Sequence, residues 1–484
     1  MFQFKPLAAA VLTVISMQAM ADNSTSTQTQ TGNDNIADVT QVSASFSSAT
    51  QSQVGNGNLA TTLQFSSSSS TAEQTQNGDG NAANITQDGD LGSSATQIQT
   101  GGPLNDAVSV QFNGSEGHSA VQTQTGSQNF AGNWQEGGQS SSTAITQTGT
   151  NNFADTAQIG GSGNSAQIDQ DGDGNFAATS QENYGESNTV DVQQSGSLNQ
   201  GYANQIGGVG NSASIVQSDL NNLADIWQEA QDGSTASIDQ SGSDNAAVID
   251  QTRGSAHTAT VTQLGGANAV QLEQYDSSGM AASIYQEGNS NLGYFRQEGY
   301  GHSLTATTYG DGNSIHAGTI FDTAGGGQNG SGQLATLAQD GTNNGIGLRQ
   351  DGLAQNTNLT QVGDGNQATV AQGGSYNELY FEQDGSGNEL VANQNGSNNA
   401  ASGSSAGTDN LVELDQSGSD NIASVAQLYG DNNLANVLQS GSGSYAQVSQ
   451  GGSANSAYVS QGNFGQTAYV NQYGVGNTAT VNQN

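Results

Sequence analysis

The side chains that most often carry enzyme chemistry are scarce in this sequence. Its imidazoles are His118, His257, His302 and His316, and cysteine is absent. His118 and His257 stand where other segments of the chain have Ser or Asn, so we interpret them as packing residues rather than general bases. We find no Ser-His-Asp arrangement and no catalytic set of carboxylates. The sequence therefore predicts a protein that is not an enzyme, with no catalytic residue and no cofactor.

Glycine–aspartate turns are the other candidates for chemistry, because such turns can bind calcium. The stretches DGDGN (Asp171–Asn175) and GDGN (Gly78–Asn81) resemble the calcium turns of nonapeptide β-rolls. They belong to units of 11 or 12 residues rather than nine, and Asp is irregular from one unit to the next. We therefore predict no specific metal site and expect loose binding of cations to an acidic surface.

The first residues have the pattern of a secretory signal peptide. Met1–Lys5 is a short basic segment, Pro6–Met17 is apolar but too short to span a bilayer, and Ala19–Ala21 fits a small-x-small cleavage site. We predict that residues 1–21 are removed. The mature chain, residues 22–484, is expected to be secreted and to act outside the cell.

Composition limits both the core and the partners of the mature chain. Only 32% of residues are apolar and 68 of 484 are glycine, so one large apolar core cannot form. Loss of the signal peptide removes Lys5 and no acid, which changes the net charge from −38 to −39. Such a surface repels nucleic acid and anionic lipid. Composition alone leaves disorder open, so the order of the residues has to decide.

One motif repeats through almost the whole mature chain. Gln170–Gln181, QDGDGNFAATSQ, has close copies that begin at Gln147, Gln240 and Gln472, and glutamines recur in steps of mostly 11 or 12 residues. Within each unit, alternate positions carry Asn or Ser, then Ala, usually Val or Ile, and Gln. A period of two indicates a β-strand with this set on one face. A glycine two positions after Gln permits the turn that follows.

These alternate positions are predicted to form ladders in a stacked structure. Because the steps of 11 and 12 alternate, the true repeat is a pair of strands of about 23 residues, which places Asn129, Asn152 and Asn175 one above another. Stacked amides can bond to the identical amide about 4.8 Å away. The predicted ladder residues are Gln147, Asn152, Ala154, Gln158, Gln170, Asn175, Ala177, Gln181, Gln240, Asn245, Ala247, Gln251, Gln472, Asn477, Ala479 and Gln483. The predicted turn residues are Gly149, Gly172, Gly242 and Gly474.

The predicted fold is all-β, a β-solenoid of about 20 stacked two-strand coils. At about 4.8 Å per coil, the rod would be on the order of 95 Å long. Spacing is irregular near residues 303–332 and 401–410, which we interpret as bulges or hinges within one array. Neither end of the array shows a polar cap, so we expect the end coils to stack on other copies as amyloid-like cross-β.

The repeated unit S-x5-Q-x-G-x2-N-x-A-x3-Q resembles the curlin repeat of curli fibre subunits. Ser141–Gln158, SSTAITQTGTNNFADTAQ, matches it at every marked position, and the resemblance covers roughly residues 24–484. The array has about 40 half-units, whereas known curli subunits have a handful of repeats. The resemblance implies a secreted structural subunit of extracellular, cell-surface amyloid fibres that serve biofilm matrix and surface adhesion.

The same resemblance implies the partners. Curli subunits are exported unfolded through a dedicated outer-membrane pore and are seeded by a nucleator. The expected partners are therefore other copies of the chain or a related fibre subunit, together with that nucleator and that pore. Nucleic acid and small-molecule substrates are not expected.

Other functions remain open on the sequence. A long monomeric adhesin stalk would use the same coils without self-assembly, and a calcium-binding β-solenoid would use the acidic turns. An ice-binding solenoid would need a regular array of threonines. Thr258–Thr262 has Thr at alternate positions, but the preceding strand, with Ala246, Val248 and Asp250, does not continue the row. Seeded, thioflavin-positive fibres would distinguish a fibre subunit from a monomeric stalk.

Overall fold

The structure, a computed structural model, describes residues 21–318 and 326–484. Residues 1–20 of the predicted signal peptide and residues 319–325 of the first irregular stretch lie outside the described residues. In the described part of the chain there are 41 β-strands and no α-helix. Accordingly, no helix there has the length and hydropathy needed to cross a membrane.

The strands are short and follow one another closely. In chain order the first twenty are β1 Thr25–Thr31, β2 Ile36–Val42, β3 Ser48–Val54, β4 Leu59–Phe65, β5 Thr71–Gly78, β6 Ala82–Asp88, β7 Ser94–Gly101, β8 Asp106–Phe112, β9 Ser119–Ser127, β10 Phe130–Glu136, β11 Ser142–Thr150, β12 Phe153–Ile159, β13 Ser165–Asp173, β14 Phe176–Glu182, β15 Thr189–Ser197, β16 Gln200–Ile206, β17 Ser212–Leu220, β18 Leu223–Asp232, β19 Thr235–Ser243 and β20 Ala246–Ser255. The others are β21 Thr258–Gly266, β22 Ala269–Ser278, β23 Ala281–Asn289, β24 Leu292–Tyr300, β25 Ser303–Asp311, β26 Ser314–Ala317, β27 Gly327–Ser331, β28 Leu334–Thr342, β29 Gly345–Leu353, β30 Asn356–Asp364, β31 Gln367–Ser375, β32 Glu378–Ser386, β33 Glu389–Ser397, β34 Ala400–Thr408, β35 Leu411–Ser419, β36 Ile422–Asp431, β37 Leu434–Gln439, β38 Tyr445–Ser453, β39 Ser456–Gln461, β40 Thr467–Val475 and β41 Thr478–Gln483.

Successive strands alternate between two parallel sheets. The first sheet begins with β1 and β3 and ends with β38 and β40, and the second begins with β2 and β4 and ends with β39 and β41. One strand of each sheet makes a coil, so coil 1 is β1 with β2 and coil 20 is β40 with β41. The predicted β-solenoid of about 20 coils is confirmed.

Pairing between coils is parallel and in register. Gln147 of β11 pairs with Gln170 of β13, which pairs with Gln194 of β15. Ladder partners stand mostly 23 residues apart in the first half of the chain and 22 apart in much of the second half. Interior positions of the strands are buried while the positions between them are half-buried or exposed, as in β13 with the pattern iBeBiBeie. The period-two pattern of the sequence is therefore the period of burial.

The two irregular stretches are accommodated without leaving the solenoid. β26 and β27 lie end to end in one layer, since both pair with β24 below and β29 above. β34, in the second stretch, is a complete strand whose pairing with β36 shifts register between Ser405 and Gly407. Each irregularity is thus confined to one layer.

Glycines in the turns after the first-sheet strands lie directly against the next coil. Gly242 has φ of 109°, and a Cβ built on it would lie 2.0 Å from the carbonyl oxygen of Gly265. Asp219 occupies the same column with φ of 72°, so its turn is bent differently. The coils approach closely here only because hydrogen replaces a side chain.

Gly242→Ala is expected to lower the free energy of unfolding by about 1–3 kcal/mol, because the methyl group overlaps the carbonyl of Gly265. Gly233→Ala is the matched control: Gly233 also has positive φ, 62°, but a Cβ at this position would have no neighbouring atom within 4 Å. Denaturant unfolding of both variants measures the difference. Equal losses would show that close approach between coils is not what selects glycine at this column.

Candidate assembly site

Glutamine side chains form an unbroken ladder in the core of the second sheet. In every coil the Nε2 of one glutamine donates to Oε1 of the glutamine in the next coil, at 2.7–2.9 Å. The other N–H of the amide crosses the core to a main-chain carbonyl, as from Gln158 to Ser142 at 3.0 Å. Each buried amide is therefore satisfied, and all donate in one direction along the rod.

A parallel ladder of asparagines runs at the start of the second-sheet strands. The main-chain N–H of each asparagine donates to Oδ1 of the asparagine one coil earlier, at 2.9–3.2 Å, from Asn58 through Asn477. The side-chain Nδ2 reaches a turn carbonyl of the next coil, as from Asn152 to Gly172 at 2.8 Å. Asparagine thus ties each turn to the coils on both sides.

The structure brings the sequence-predicted ladder residues together in these columns. The first-sheet glutamine column contains Gln147, Gln170, Gln240 and Gln472. The second-sheet columns contain Asn152, Ala154, Gln158, Asn175, Ala177, Gln181, Asn245, Ala247, Gln251, Asn477, Ala479 and Gln483. All are buried except the members in β41 and its turn, where Ala479 and Gln483 are half-buried and Asn477 is exposed. Gly149, Gly172, Gly242 and Gly474 share the first-sheet turn column.

The first-sheet glutamine ladder has two substitutions. Thr308 and Ser405 replace glutamine in their coils. The Oγ of Ser405 donates to Oε1 of Gln427 at 2.8 Å, so a hydroxyl can replace the amide as donor. Above Thr308, Oε1 of Gln339 is buried without a hydrogen-bond partner. Both substitutions are visible in the sequence, but the sequence does not show which of them leaves the next glutamine oxygen without a hydrogen-bond donor.

A second amide ladder occupies the first-sheet core of the first five coils, and sequence reasoning missed it. Gln28, Gln51, Gln74, Gln97 and Gln122 are joined from coil to coil by Nε2–Oε1 bonds of 2.8–3.1 Å. Later coils have mostly Ile, Val or Leu in this column, and the main apolar cluster begins only at Ala131. The signal was present as Gln-x-Gln in the strands of these five coils, where the general repeat has an apolar residue.

The histidines pack rather than form a site. His118, His257 and His302 start first-sheet strands and are all buried. Burial lowers the pKa of His257 to about 4 and also lowers the pKa of His302, so both imidazoles are neutral near pH 7. His316 lies on the outer face of the second sheet, where its ring meets Tyr294 edge-on at 5.4 Å.

Aromatic residues stack on the outer face of the second sheet. The rings of Phe130, Phe153 and Phe176 follow one another with centroids 4.8 Å apart in both steps, and Tyr202 continues the row at 5.4 Å. The spacing equals the separation of neighbouring strands, since each ring belongs to one coil. These contacts add lateral order to the outer surface of coils 5 to 8.

The threonine row has different neighbours from those that the chain order indicated. Strand β21, which contains Thr258, Thr260 and Thr262, pairs with β19 and β23, not with the preceding strand β20. The outer neighbours of Thr262 are Asp239 and Tyr285. Only Thr258 has a threonine neighbour, Thr235, and Thr260 lies between Ser237 and Ser283, which leaves no regular threonine surface there.

Acidic turn residues do not stack on one another around Asp171 and Asp173. Asp171 pairs with Thr148 and Ser195, and Asp173 accepts hydrogen bonds from Thr150. Hydroxyl groups therefore separate these carboxylates along the rod. The described residues contain no group of three or more His, Asp or Glu side chains placed to hold a metal ion.

One carboxylate is buried without a partner. Asp90 lies in the turn between β6 and β7, is 1% exposed, and neither of its oxygens has a hydrogen-bond partner. Its column continues with Ser67 in one adjoining coil and Ser115 in the other. Burial, followed by the nearby Asp88 carboxylate, raises the pKa of Asp90 to about 8. The folded coil therefore holds this group in its neutral form at pH 7.

The Asp90 carboxyl should make the first coils less stable as pH rises. Its pKa is raised in the folded state, so the unfolded chain releases the proton first, and unfolding becomes easier from about pH 4 to about pH 8 before levelling off. The slope is at most about 1.4 kcal/mol per pH unit. Hydrogen exchange of the amides in β5 to β8 at several pH values measures it.

Asp90→Ser is the matched variant, because Ser67 and Ser115 already fill the adjoining positions of the column. It should remove the Asp90 contribution to the pH dependence and leave that of other carboxyls with a raised pKa, such as Asp155, whose pKa is raised by partial desolvation. The same slope in the variant and the unmodified chain would disprove this assignment.

The two outermost coils of the described array present open edges. All residues of β1 are exposed, and β41 alternates exposed with half-buried residues instead of exposed with buried. Within the array the N–H of Ser456 donates to the carbonyl of Asn477 one coil on; Thr478 occupies the position of Ser456 in coil 20. Coil 20 therefore presents the N–H of Thr478 and Nε2 of Gln483 as donors and Oδ1 of Asn477 as an acceptor, and coil 1 presents complementary groups that include Oε1 of Gln41 and the N–H of Asn35.

Comparison with known families finds the curlin associated repeat in two segments, residues 232–265 and 407–441. The first spans the end of β18 to β21, and the second spans the end of β34 to the turn after β37. No curated protein matches the chain in sequence. The resemblance of the repeated motif to the curlin repeat is confirmed in these two segments, which lie within the β-solenoid. Both properties fit a curli-like fibre or adhesin subunit and a structural rather than an enzymatic protein.

Proposed function

We propose that the mature chain is a secreted structural subunit that assembles head to tail into extracellular, curli-like amyloid fibres of the cell surface and biofilm matrix. The observation that carries this proposal is that the second-sheet ladders of Gln and Asn extend to both outermost coils. The two end coils are complementary: Nε2 of Gln483 can donate to Oε1 of Gln41 in another copy, and Oδ1 of Asn477 can accept from the N–H of Asn35. Such a contact is heterologous and does not close on itself, so it produces filaments.

The composition of coil 20 supports stacking. Residues 462–484 contain no Asp, Glu, Lys, Arg or His side chain, although the mature chain has 42 carboxylates. Addition of another copy at this face therefore buries no charged side chain of coil 20. The acidic side chains elsewhere keep the sides of the rod soluble.

Export and seeding belong to the same proposal. Residues 1–21 have the pattern of a signal peptide, and the curlin repeats favour secretion through an outer-membrane pore and growth from a nucleator. The polar core is compatible with export as an unfolded chain, because few apolar side chains are exposed at once. The proposed partners are thus copies of the chain or a related subunit, a nucleator and a pore.

A long monomeric adhesin stalk is the second candidate. Twenty covalently linked coils already make a rod without assembly, and the stacked aromatic row on the second sheet lies on its side, where it would remain available in a monomer. The stalk requires that purified mature protein stays monomeric when seeded. Fibre growth that is first order in free protein and in seed ends would reject it.

Gly474→Ala tests growth at coil 20. In the coil beneath, a Cβ on Gly452 would lie 2.1 Å from the Gly474 carbonyl, whereas a Cβ on Gly474 has its nearest neighbour, Asn477 Nδ2, at 3.6 Å. Alanine at the Gly474 φ of 113° strains the turn, but its methyl group meets no close neighbour in the monomer and overlaps the turn of an incoming coil. We expect at least about a tenfold slower seeded elongation, measured by thioflavin fluorescence at fixed seed concentration.

Gly476→Ala is the control in the same turn. Gly476 has φ of 72°, and a Cβ built on it would have no neighbouring atom within 4 Å. Ala454 already occupies the equivalent position in the coil beneath. This variant should elongate like the unmodified chain. Circular dichroism of both monomers checks that the fold is kept. Equal elongation of the two variants would contradict stacking through the first-sheet turn of coil 20.

A further inference from the structure

The two outermost coils are well matched in the second sheet. On head-to-tail stacking, Ala479–Gln483 of β41 would pair with Ala37–Gln41 of β2, so that Ala meets Ala, Val meets Val and Gln meets Gln. Asn477 would similarly continue the column of Asn35. These identities determine the register of the junction. With this register, first-sheet residues of β1 and β40 that differ in type face each other.

The first sheet is mismatched at one core position. Two residues before the glutamine of the first-sheet ladder, β1 has Gln28 and β40 has Val470. Val470 is 4% exposed and continues a column of apolar residues, with Val448 beneath it. Gln28 begins the second amide ladder and donates to Oε1 of Gln51 at 3.1 Å. The junction between copies would therefore place an amide against an isopropyl group.

The mismatch affects the acceptor end of the amide ladder. At the donor end inside the chain, Nε2 of Gln122 bonds to the carbonyls of Val108 and Ala131 at 2.8 and 3.0 Å, so that end needs no further amide. The Oε1 of Gln28 corresponds to the oxygens that accept from the preceding coil. In the incoming copy this oxygen would lie above Val470, buried without a donor, which weakens the junction by roughly tenfold or more.

Within the chain a serine satisfies an equivalent oxygen and a threonine does not. The Oγ of Ser405 donates to Oε1 of Gln427, one coil on in the same first-sheet column, at 2.8 Å. Thr308, in the same column, leaves Oε1 of Gln339 without a partner. A coil that presents Gln or Ser at the position of Val470 would thus complete the ladder of Gln28, and a coil that presents Val or Ile would not.

We propose that the open face of coil 1 recognises a curlin-type coil of a different chain, one with Gln or Ser two positions before its ladder glutamine. The chain's own coil 20 is the poorer partner for this face. This inference depends on the proposed head-to-tail stacking and adds the chemistry of the preferred neighbour. Homotypic growth is then slow at every junction, and a partner with the amide or hydroxyl joins more readily.

Val470→Ser tests this recognition by placing a hydroxyl donor on coil 20. Self-elongation of the mature full-length variant from sheared seeds should be about tenfold faster than that of the unmodified chain. Val448→Ser is the control one coil further in, where Val425 and Val470 are the neighbours and no glutamine oxygen needs a donor. It should elongate no faster than the unmodified chain.

Gln28→Ala connects the effect to the proposed acceptor. The gain from Val470→Ser should disappear when both changes are made, because the hydroxyl then has no Oε1 to meet. An unchanged or slower rate for Val470→Ser, or a gain that persists with Gln28→Ala, overturns the inference, while elongation of the unmodified chain leaves head-to-tail assembly standing. If the unmodified chain shows no seeded growth at all, both proposals fail.

Discussion

A buried amide needs a donor and an acceptor, and this requirement determines the rest of the structure. Gln and Asn side chains fill positions that other folds give to large apolar residues, and each is satisfied by the same residue one coil away. These hydrogen bonds form only if the strands are parallel and in register and if each column keeps one type of residue. The amides therefore specify the repeat as strongly as the apolar residues do. A shift of one residue would place every interior amide on the outer face and every outer residue in the core.

Much of this arrangement is readable from the sequence, because burial has a period of two and the coil has a nearly constant length. The columns of Gln147, Asn152 and Gly149 follow directly from the spacing. Neighbour relations across the sheet were harder: Thr262 meets Asp239 and Tyr285, since strands two apart in the chain are adjacent in space. The amide column of Gln28 was missed although Gln-x-Gln stands where the general repeat has an apolar residue, because the sequence does not show that these glutamines bond to one another in the core.

The rod contains two kinds of interior. Coils 1 to 5 are held largely by amide bonds, and from Ala131 onward Ile, Val and Leu form a continuous apolar cluster. Apolar burial makes a large contribution to the heat capacity of unfolding, whereas exposure of polar groups lowers it. The two sections therefore respond differently to temperature, and the section with Asp90 in its turn also responds differently to pH. Folding of the array does not have to be one cooperative event, since each coil contacts mainly its neighbours.

The covalent connection between coils gives the rod a mechanical property. Each coil advances the stack by about 4.8 Å but contains 22 or 23 residues, which span roughly 70 Å when extended. A rod under tension that releases one end coil gains that length while the remaining coils keep their pairing. The fibre would yield in steps and absorb work at each step, so tension from flow would lengthen it before breaking it.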